Sequence, residues 1–338
     1  MPKFAVIVPM RNALPELQRC LDSVIKAANR HGNCDILVVD NGSTDGSRDY
    51  VAETFGQAVQ LESLENATIG QVRNFGSSRT DSDYLAFVDS DCVLGRDHFV
   101  IAESLLEEGI DLAAVGCRVG LPERPGWIEA TWHAMHFPTE DRAAAYINSG
   151  NLVVRRTAFN QVGGFSEELE TGEDAELGQK LRGEGWSLRE FLALEVAHLR
   201  NPKSLRAFWA KETWHGLGMF GTVTRRELDK PTVMTAAHAV LVSLGIAVAL
   251  SGLASGRWRL LPVGVAAIFL VPLAAVSYRR IRVSRKIPWM KGTFLYELYF
   301  LARFRAITKI LAASLRSRRG PSGQAHPWSR EPSQDDHL

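Results

Sequence analysis

Residues 85–97 read LAFVDSDCVLGRD, an apolar run that stops abruptly at Asp89-Ser90-Asp91. A short apolar run bounded by turn residues marks a strand buried on both faces, the kind that fills parallel sheets. Similar runs lie on either side: FAVIVP from Phe4, DILVVD from Asp35, AVQLES from Ala58, LAAVGCRV from Leu112, NLVVRR from Asn151 and REFLALEVAHL from Arg189. Amphipathic segments separate them. In ELQRCLDSVIKAANR, residues 16–30, the apolar positions Leu17, Cys20, Leu21, Val24 and Ile25 recur at helical spacing. Strands alternating with helices predict an α/β domain with a mostly parallel sheet covered by helices. Ligands of such sheets gather beyond the carboxyl ends of the strands. The polar residues found there are Pro9, Arg11 and Asn12 after the first run, Asp40 after the second, and Asp89 and Asp91 after the run quoted first.

The 338 residues are 46% hydrophobic and 23% charged with a net charge of +1, which suits one large globular domain with an appendage. The balanced charge argues against a general nucleic-acid binder. Cys20, Cys34, Cys92 and Cys117 form no CxxC pair, so neither a zinc knuckle nor a disulfide framework is indicated, and a reducing cytosolic setting fits. The first apolar run is too short for a signal-peptide core, and without a secretion signal the acceptor-like triplets at Asn41 and Asn66 read as chance.

After Pro231 the composition changes. Residues 232–254 carry one His and no charge, and residues 260–278 carry neither, each near the roughly 20 residues a helix needs to cross a bilayer. The link SGRWR holds two arginines, against eight basic residues on the flanks: Arg225, Arg226 and Lys230, then Arg279, Arg280, Arg282, Arg285 and Lys286. The positive-inside rule then places both flanks in the cytoplasm, giving an inner-membrane hairpin with the front domain on the cytoplasmic face. Two buried helices of a soluble domain are the alternative, but no segment of comparable size remains to cover them. Residues 281–318 place Phe294, Leu298, Leu301, Phe304, Ile307 and Leu311 three or four apart among basic residues, the pattern of an interfacial helix on anionic lipid. The expected layout is a domain at 1–228, two spans within 229–280, the interfacial helix, and a disordered tail at 319–338.

Two carboxylates one residue apart can share a divalent metal and a nucleotide, since Mg²⁺ and Mn²⁺ prefer oxygen ligands and keep phosphate oxygens in their shell. A DxD can equally cap a turn, and Asp40 with NGSTDG can be Asx-turn chemistry with Asp45 capping the next helix. The motifs in series carry more weight. VIVPMRN, ILVVDNGSTDGS, GQVRNFGSS, YLAFVDSDCV, NSGNLVVRRTAFNQVGGFSEEL and GEDAELGQKLRGEGW, spread over residues 3–200, resemble the successive motifs of family 2 glycosyltransferases, inverting enzymes of the GT-A fold.

That resemblance implies a fold and a set of roles. The fold would be the Rossmann-like GT-A sheet, mixed but mostly parallel. Pro9, Arg11 and Asn12 would line the nucleotide pocket and Asp40 would read the base. Gly70, Arg73 and Asn74 would lie near the diphosphate, where a guanidinium fork pairs phosphate oxygens. Asp89 would contact ribose and metal, Asp91 would bind Mn²⁺ or Mg²⁺, and His198, at the end of a late strand, would complete the metal site; a surface His at a strand end is the alternative. In Glu173-Asp174, at a helix start that favours anions, Asp174 would be the general base, and one of the two adjacent acids a capping group. Asn148, Ser149, Gly150 and Asn151, with Gly163, Gly164 and Phe165, would shape the donor-sugar and acceptor entrance. Trp127 and Trp132, with His133, His136 and Phe137, form either an acceptor wall or core packing.

The partners implied are a nucleotide-sugar donor, a lipid-linked or surface-glycan acceptor and membrane lipids, with polyprenyl-phosphate as the rival acceptor and no nucleic acid. Processive synthases of the family carry Gln-x-x-Arg-Trp after the base; HLRNPKSLRAFWAKETWHG lacks it, so one sugar is expected per encounter. A nucleotidyltransferase or a dinucleotide oxidoreductase would place glycines after the first strand, where VPMRNALPE has none. An inactive anchored scaffold is disfavoured because the DxD acids and the Glu-Asp pair are both present.

Overall fold

The computed structural model of the protein describes residues 4–169, 171–223 and 230–317. In chain order its elements are β1 (Phe4–Met10), α1 (Leu14–His31), β2 (Cys34–Asp40), α2 (Ser47–Phe55), β3 (Gln60–Ser63), α3 (Ile69–Ser78), β4 (Tyr84–Val88), β5 (Cys92–Val93), α4 (His98–Glu108), β6 (Leu112–Gly116), β7 (Val119–Gly120) and α5 (Trp127–His136). There follow β8 (Arg142–Ala143), β9 (Asn151–Arg155), α6 (Arg156–Gln161), α7 (Glu173–Gly183), β10 (Ser187–Glu190), a 3₁₀ turn (Leu192–Leu194), β11 (Val196–His198), α8 (Leu205–Val223), α9 (Lys230–Ala254), α10 (Leu260–Arg282) and α11 (Trp289–Ser317). The chain falls into two compact units, residues 1–124 with 137–201, and residues 125–136 with 202–338.

The first unit is built on an eight-stranded sheet of order β3-β2-β1-β4-β9-β6-β10-β8. β1 runs parallel to β2 and β4, while β9 runs antiparallel to both β4 and β6, so the sheet is mixed and mostly parallel. Every residue of β1 is buried. Phe4, Val6 and Val8 meet the α1 residues Leu17, Leu21 and Val24 and the α4 residue Phe99 on one face. Ala5 and Ile7 join Val72 of α3, Phe165, and Leu177 and Leu181 of α7 on the other. Each such side chain contributes about 1.5–3 kcal/mol when removed from water. Two layers of helix on one sheet therefore explain why the strands read as unbroken apolar runs. α1 starts with Pro15 in its first turn and stops at Gly32, whose φ of 84° only glycine adopts freely.

One expected strand is three elements. REFLALEVAHL leaves the main sheet after β10, turns through Leu192–Leu194, and continues as β11 in a three-stranded sheet of order β5-β11-β7. The side chain of Asn151 donates to Leu194 O (2.7 Å) and Cys117 O (3.1 Å), holding the turn where the chain changes sheets. LAAVGCRV likewise divides, into β6 of the main sheet and β7 of the small one.

The second unit consists of α5, α8, α9, α10 and α11, joined through Ile128, Met135, Phe208, Val276, Leu295, Tyr296 and Phe300. Its limit falls after Asn201 and not at the composition change near Pro231, because α5 and α8 bury their apolar residues against α10 and α11. α9 and α10 are, among the described residues, the two helices long and apolar enough to cross a membrane, with mean hydropathies of 2.1 and 2.3 over the most apolar stretches of Pro231–Ala254 and Leu260–Arg282. Only 17% and 22% of their most apolar stretches are buried within the protein, so they are not core helices of a soluble domain. They cross closely: a Cβ on Gly245 would lie 2.6 Å from Gly264 O, and one on Gly264 would lie 2.9 Å from Ala249 Cβ. Small residues at a crossing let backbones approach where lipid supplies no hydrophobic drive.

α11 turns Leu295, Tyr296, Phe300, Ala302 and Ala306 into the protein and leaves Phe294 and Phe304 exposed. Polar contacts fix it as well, Arg303 to Glu212 at 3.0 Å and His238 to Glu297 at 3.4 Å. Arg225, Arg226, the side chains of Lys230 and Leu311, and the expected tail at 319–338 lie outside the described residues.

Gly76 of α3 faces the sheet, where a Cβ would lie 2.6 Å from Ile7 Cγ2 and 3.3 Å from Val39 Cγ2. Gly76→Val is expected to cost about 1–3 kcal/mol through overpacking, read as a lowered denaturation midpoint; an unchanged midpoint would contradict this packing.

Candidate active site

The carboxyl ends of β1, β2 and β4 converge on the expected edge of the sheet. Asp40 ends β2, is buried, and accepts from Ser43 N at 3.2 Å. Asp45 accepts from Ser47 N (3.0 Å) and Leu14 N (3.1 Å), which folds the NGSTD loop and ties it to the start of α1, while Gly46 holds the cap position of α2 with no side-chain cap bond. Pro9 is buried in β1, and Arg11 and Asn12 follow it exposed. Asn12 adopts φ 48° and accepts from Thr44 N at 2.8 Å, locking the β1 and β2 loops together.

Arg73 is the hub. It projects from α3, is 3% exposed, and donates from Nη2 to Asp89 Oδ1 and from Nη1 to Glu173 Oε1, both at 2.7 Å. Ser149 Oγ adds a bond to the same Glu173 oxygen at 3.2 Å. Burial works against the guanidinium charge, but Asp89 and Glu173 more than offset it and hold the group cationic. Arg73 thus lies between two carboxylates, each of its terminal nitrogens donating to one of them.

The neighbours of Arg73 expected near the diphosphate are packing residues. A Cβ on Gly70 would strike Ser166 O. Asn74 donates to Phe165 O (2.9 Å) and accepts from Phe165 N (3.0 Å), pinning the Gly-Gly-Phe loop. Gly164 there has φ 71°, and a Cβ on it would lie 2.7 Å from Asn74 Oδ1, so conformation and space both demand glycine. Phe165 in turn packs edge-on to Phe87 at 5.0 Å.

Glu173 and Asp174 open α7 after Gly172. The buried Glu173 is spent on Arg73 and Ser149, which leaves Asp174 as the acid of the pair not tied to Arg73. Burial, then the neighbouring Glu173 charge, pushes the Asp174 carboxyl up to about 7, although it accepts from Ala175 N at 2.7 Å. A carboxyl tuned to that range is suited to take up and release a proton near neutral pH.

At the end of β4, Asp91 and His198 meet because β11 pairs antiparallel with β5, setting His198 opposite Cys92. His198 Nε2 lies 3.3 Å from Asp91 Oδ2, and Leu199 N donates to Asp91 O at 2.9 Å. Asp91, Cys92 and His198 offer ligand atoms within 4.8 Å of one another, the one such group among the described residues. A carboxylate and an imidazole suit a hard or borderline divalent ion that keeps phosphate oxygens in its shell. Asp89 adjoins through its bond to Arg73, and Gly150 lies against its carboxylate so closely that a Cβ would collide with it.

Of the remaining expected residues, Asn148 accepts from Gly150 N at 3.0 Å and so shapes its own loop. Asn151 is fully buried and engaged with Cys117 and Leu194, which takes it out of any sugar contact. Trp127 and Trp132 belong to the second unit, where Trp132 packs against His136, Phe208 and Tyr299 as core packing. Arg200 was not foreseen: it binds Glu16 (2.7 Å) and Asn12 O (2.7 Å), tying the end of β11 to the end of β1. Its place two residues beyond His198 was the only available signal.

Comparison with known proteins agrees with this geometry. A mannosyltransferase from Pyrobaculum calidifontis, solved with GDP-mannose and Mn²⁺, superposes with a TM-score of 0.58 over 89% of this chain and 86% of its own at 18% identity, and shares the GT-A fold. Residues 5–163, just under half of the chain, match the family described as glycosyl transferase family 2. Glycosyltransferase AglE of Haloferax volcanii is 28% identical over 195 residues, covering 56% of this chain and 64% of that protein. The pre-mycofactocin glycosyltransferase of Mycobacterium tuberculosis is 28% identical over 317 residues, covering 88% and 61%. The chain thus spans somewhat under two thirds of the length of these relatives.

Arg73→Met would leave Asp89 and Glu173 without their shared cation, and is expected to lower stability by about 3–5 kcal/mol. Thermal unfolding of the purified protein measures it, and a loss within error of zero would mean that the carboxylates find other partners.

Proposed function

We propose that the protein is a metal-dependent, inverting, non-processive glycosyltransferase. It moves a sugar from a nucleotide-sugar donor to a lipid-linked or glycan acceptor at the cytoplasmic face of the inner membrane. The observation that carries this reading is the meeting of Asp91 and His198 at 3.3 Å beside the Asp89–Arg73–Glu173 chain. Asp91 follows Asp89 and Asp174 follows Glu173 in sequence, which supports a metal-type donor set and a proton acceptor on either side of that chain. The two apolar helices favour an acceptor that lives in or on a membrane; polyprenyl-phosphate satisfies the same condition.

Asp91 and His198 are the residues that would hold Mn²⁺ or Mg²⁺, with Asp89 shared between ion and ribose. A bound divalent ion supplies charge neutralisation for the departing diphosphate. Asp40 and the loop after β1 receive the nucleoside. Asp174 accepts the proton of the acceptor hydroxyl as that oxygen bonds to the anomeric carbon from the face opposite the leaving diphosphate. The bond from the anomeric carbon to the diphosphate oxygen breaks as the new one forms, so the anomeric configuration inverts. Glu173 is engaged instead by Arg73 and Ser149, which orient its carboxylate. Arg73 acts as a positioning residue that keeps Asp89 and the start of α7 in register.

Calorimetric titration of UDP, GDP, dTDP and CMP into detergent-purified protein, with Mn²⁺ and then with EDTA, tests the nucleotide site. One nucleotide is expected to bind only with metal, and Asp91→Asn is expected to lose that binding. Asp174→Asn is expected to keep it while turnover falls by about 10²–10⁴-fold. Equal loss of nucleotide affinity in both variants would overturn the assignment of the base, and no metal-dependent binding at all would favour the inactive scaffold.

The pH profile supplies a separate check. Asp174 works deprotonated, and its carboxyl titrates near 7. Turnover is therefore expected to fall tenfold per pH unit below about 7 and to level off above it. A flat profile between pH 5 and 8 would remove Asp174 from the proton transfer.

A further inference from the structure

We infer that residues 278–294, with Trp127 of α5, form a collar that binds the anionic phospholipid headgroups of the leaflet the hairpin enters. The inference rests on the membrane reading of α9 and α10, and it centres the lipid contact on the end of α10 and the turn that follows it, continuing into the exposed Phe294 at the start of α11.

The sequence from Tyr278 to Tyr296 holds six cations, Arg279, Arg280, Arg282, Arg285, Lys286 and Lys291, and no acid. Among the described residues none of the six has a carboxylate partner. Exposed apolar side chains are interleaved with them: Tyr278 is 58% exposed, Ile281 81%, Trp289 45%, Met290 87% and Phe294 44%. In a soluble surface such residues would be a liability, whereas at a bilayer interface aromatic rings sit at headgroup level beside phosphate-binding cations.

Local contacts give the collar a fixed form. Arg280 bonds Ile287 O, which closes the turn between α10 and α11, and its guanidinium lies 4.8 Å from the Trp289 ring centroid. Arg279 Nε donates to Tyr296 OH at 3.3 Å, and the same hydroxyl meets His136 Nε2 at 3.2 Å. Lys291 Nζ stands 5.7 Å from the centroid of Trp127, itself 41% exposed at the start of α5. Arg282, Arg285 and Lys286 have no role in this framework, which leaves them to the lipid. The other end of the hairpin offers only Arg257 and Arg259 around Trp258. Charge therefore selects the leaflet at the collar.

Headgroup phosphates are recognised here by charge, so the test separates charge from insertion. Full-length protein is diluted from detergent into vesicles of phosphatidylcholine alone, or of an equal mixture of phosphatidylcholine and phosphatidylglycerol, and floated on a gradient. The protein is expected to prefer the anionic vesicles, and Arg282→Gln/Arg285→Gln/Lys286→Gln to lower that preference by about tenfold or more. Trp127→Ala/Trp289→Ala is expected to weaken retention on both vesicle types to a similar degree. Equal flotation of the unaltered protein with both vesicles would overturn the collar and leave the hairpin standing. Flotation with neither would overturn both. Nucleotide binding of the same variants is expected to be unchanged, so failure of the glycosyltransferase reading would register separately.

Discussion

One buried guanidinium holds the active-site end of the first unit together. Arg73 comes from the helix after β3, Asp89 from the end of β4, and Glu173 from the start of α7, and the three meet through two bonds of 2.7 Å. Burying an isolated cation costs several kcal/mol, so the site is stable only when both acids arrive. The same requirement fixes the geometry of the groups next to them. Asp91 follows Asp89 by two residues and Asp174 follows Glu173 by one. Asp91 and Asp174 thus inherit their separation from a single ion-pair network. The burial of Arg73 between the two acids is what makes it effective as a strut.

Around that strut the main chain does the rest. β11 abandons the large sheet, and the small sheet it joins carries His198 to Asp91 from more than a hundred residues away in sequence. Asn151, expected at a sugar, instead spends its amide on the carbonyls of Cys117 and Leu194, where the chain passes between sheets. A buried amide with two carbonyl partners is worth more to the fold at such a crossing than it would be at an open entrance. The loop glycines 150 and 164 serve the same end, letting backbone approach Asp89 and Asn74 where any side chain would intrude.

The second unit follows a different rule, because α9 and α10 are long and apolar enough to cross a membrane and little of their surface is buried within the protein. Small residues let α9 and α10 touch backbone to backbone, and the larger apolar side chains point outward. α11 has two faces. One, with Leu295, Tyr296, Phe300, Ala302 and Ala306, is buried and carries the contacts of Glu297 and Arg303 to α9 and α8, while Phe294 and Phe304 of the apolar stripe stay exposed. In the turn before it, cations and rings are exposed together.

Much was legible in the sequence. The alternation of apolar runs and amphipathic segments determined an α/β sheet, and the motif series determined the family, because local periodicity and short-range turn chemistry are written in neighbouring residues. The two apolar segments likewise announced a hairpin by length alone. Tertiary structure alone decided that Glu173 binds Arg73 while Asp174 is left to titrate near 7, that REFLALEVAHL is two strands in two sheets, and that Trp132 belongs to a helical core. Those outcomes depend on which distant groups compete for one donor, one edge or one buried volume. Such competition is settled by packing in three dimensions, and no window of sequence contains both competitors.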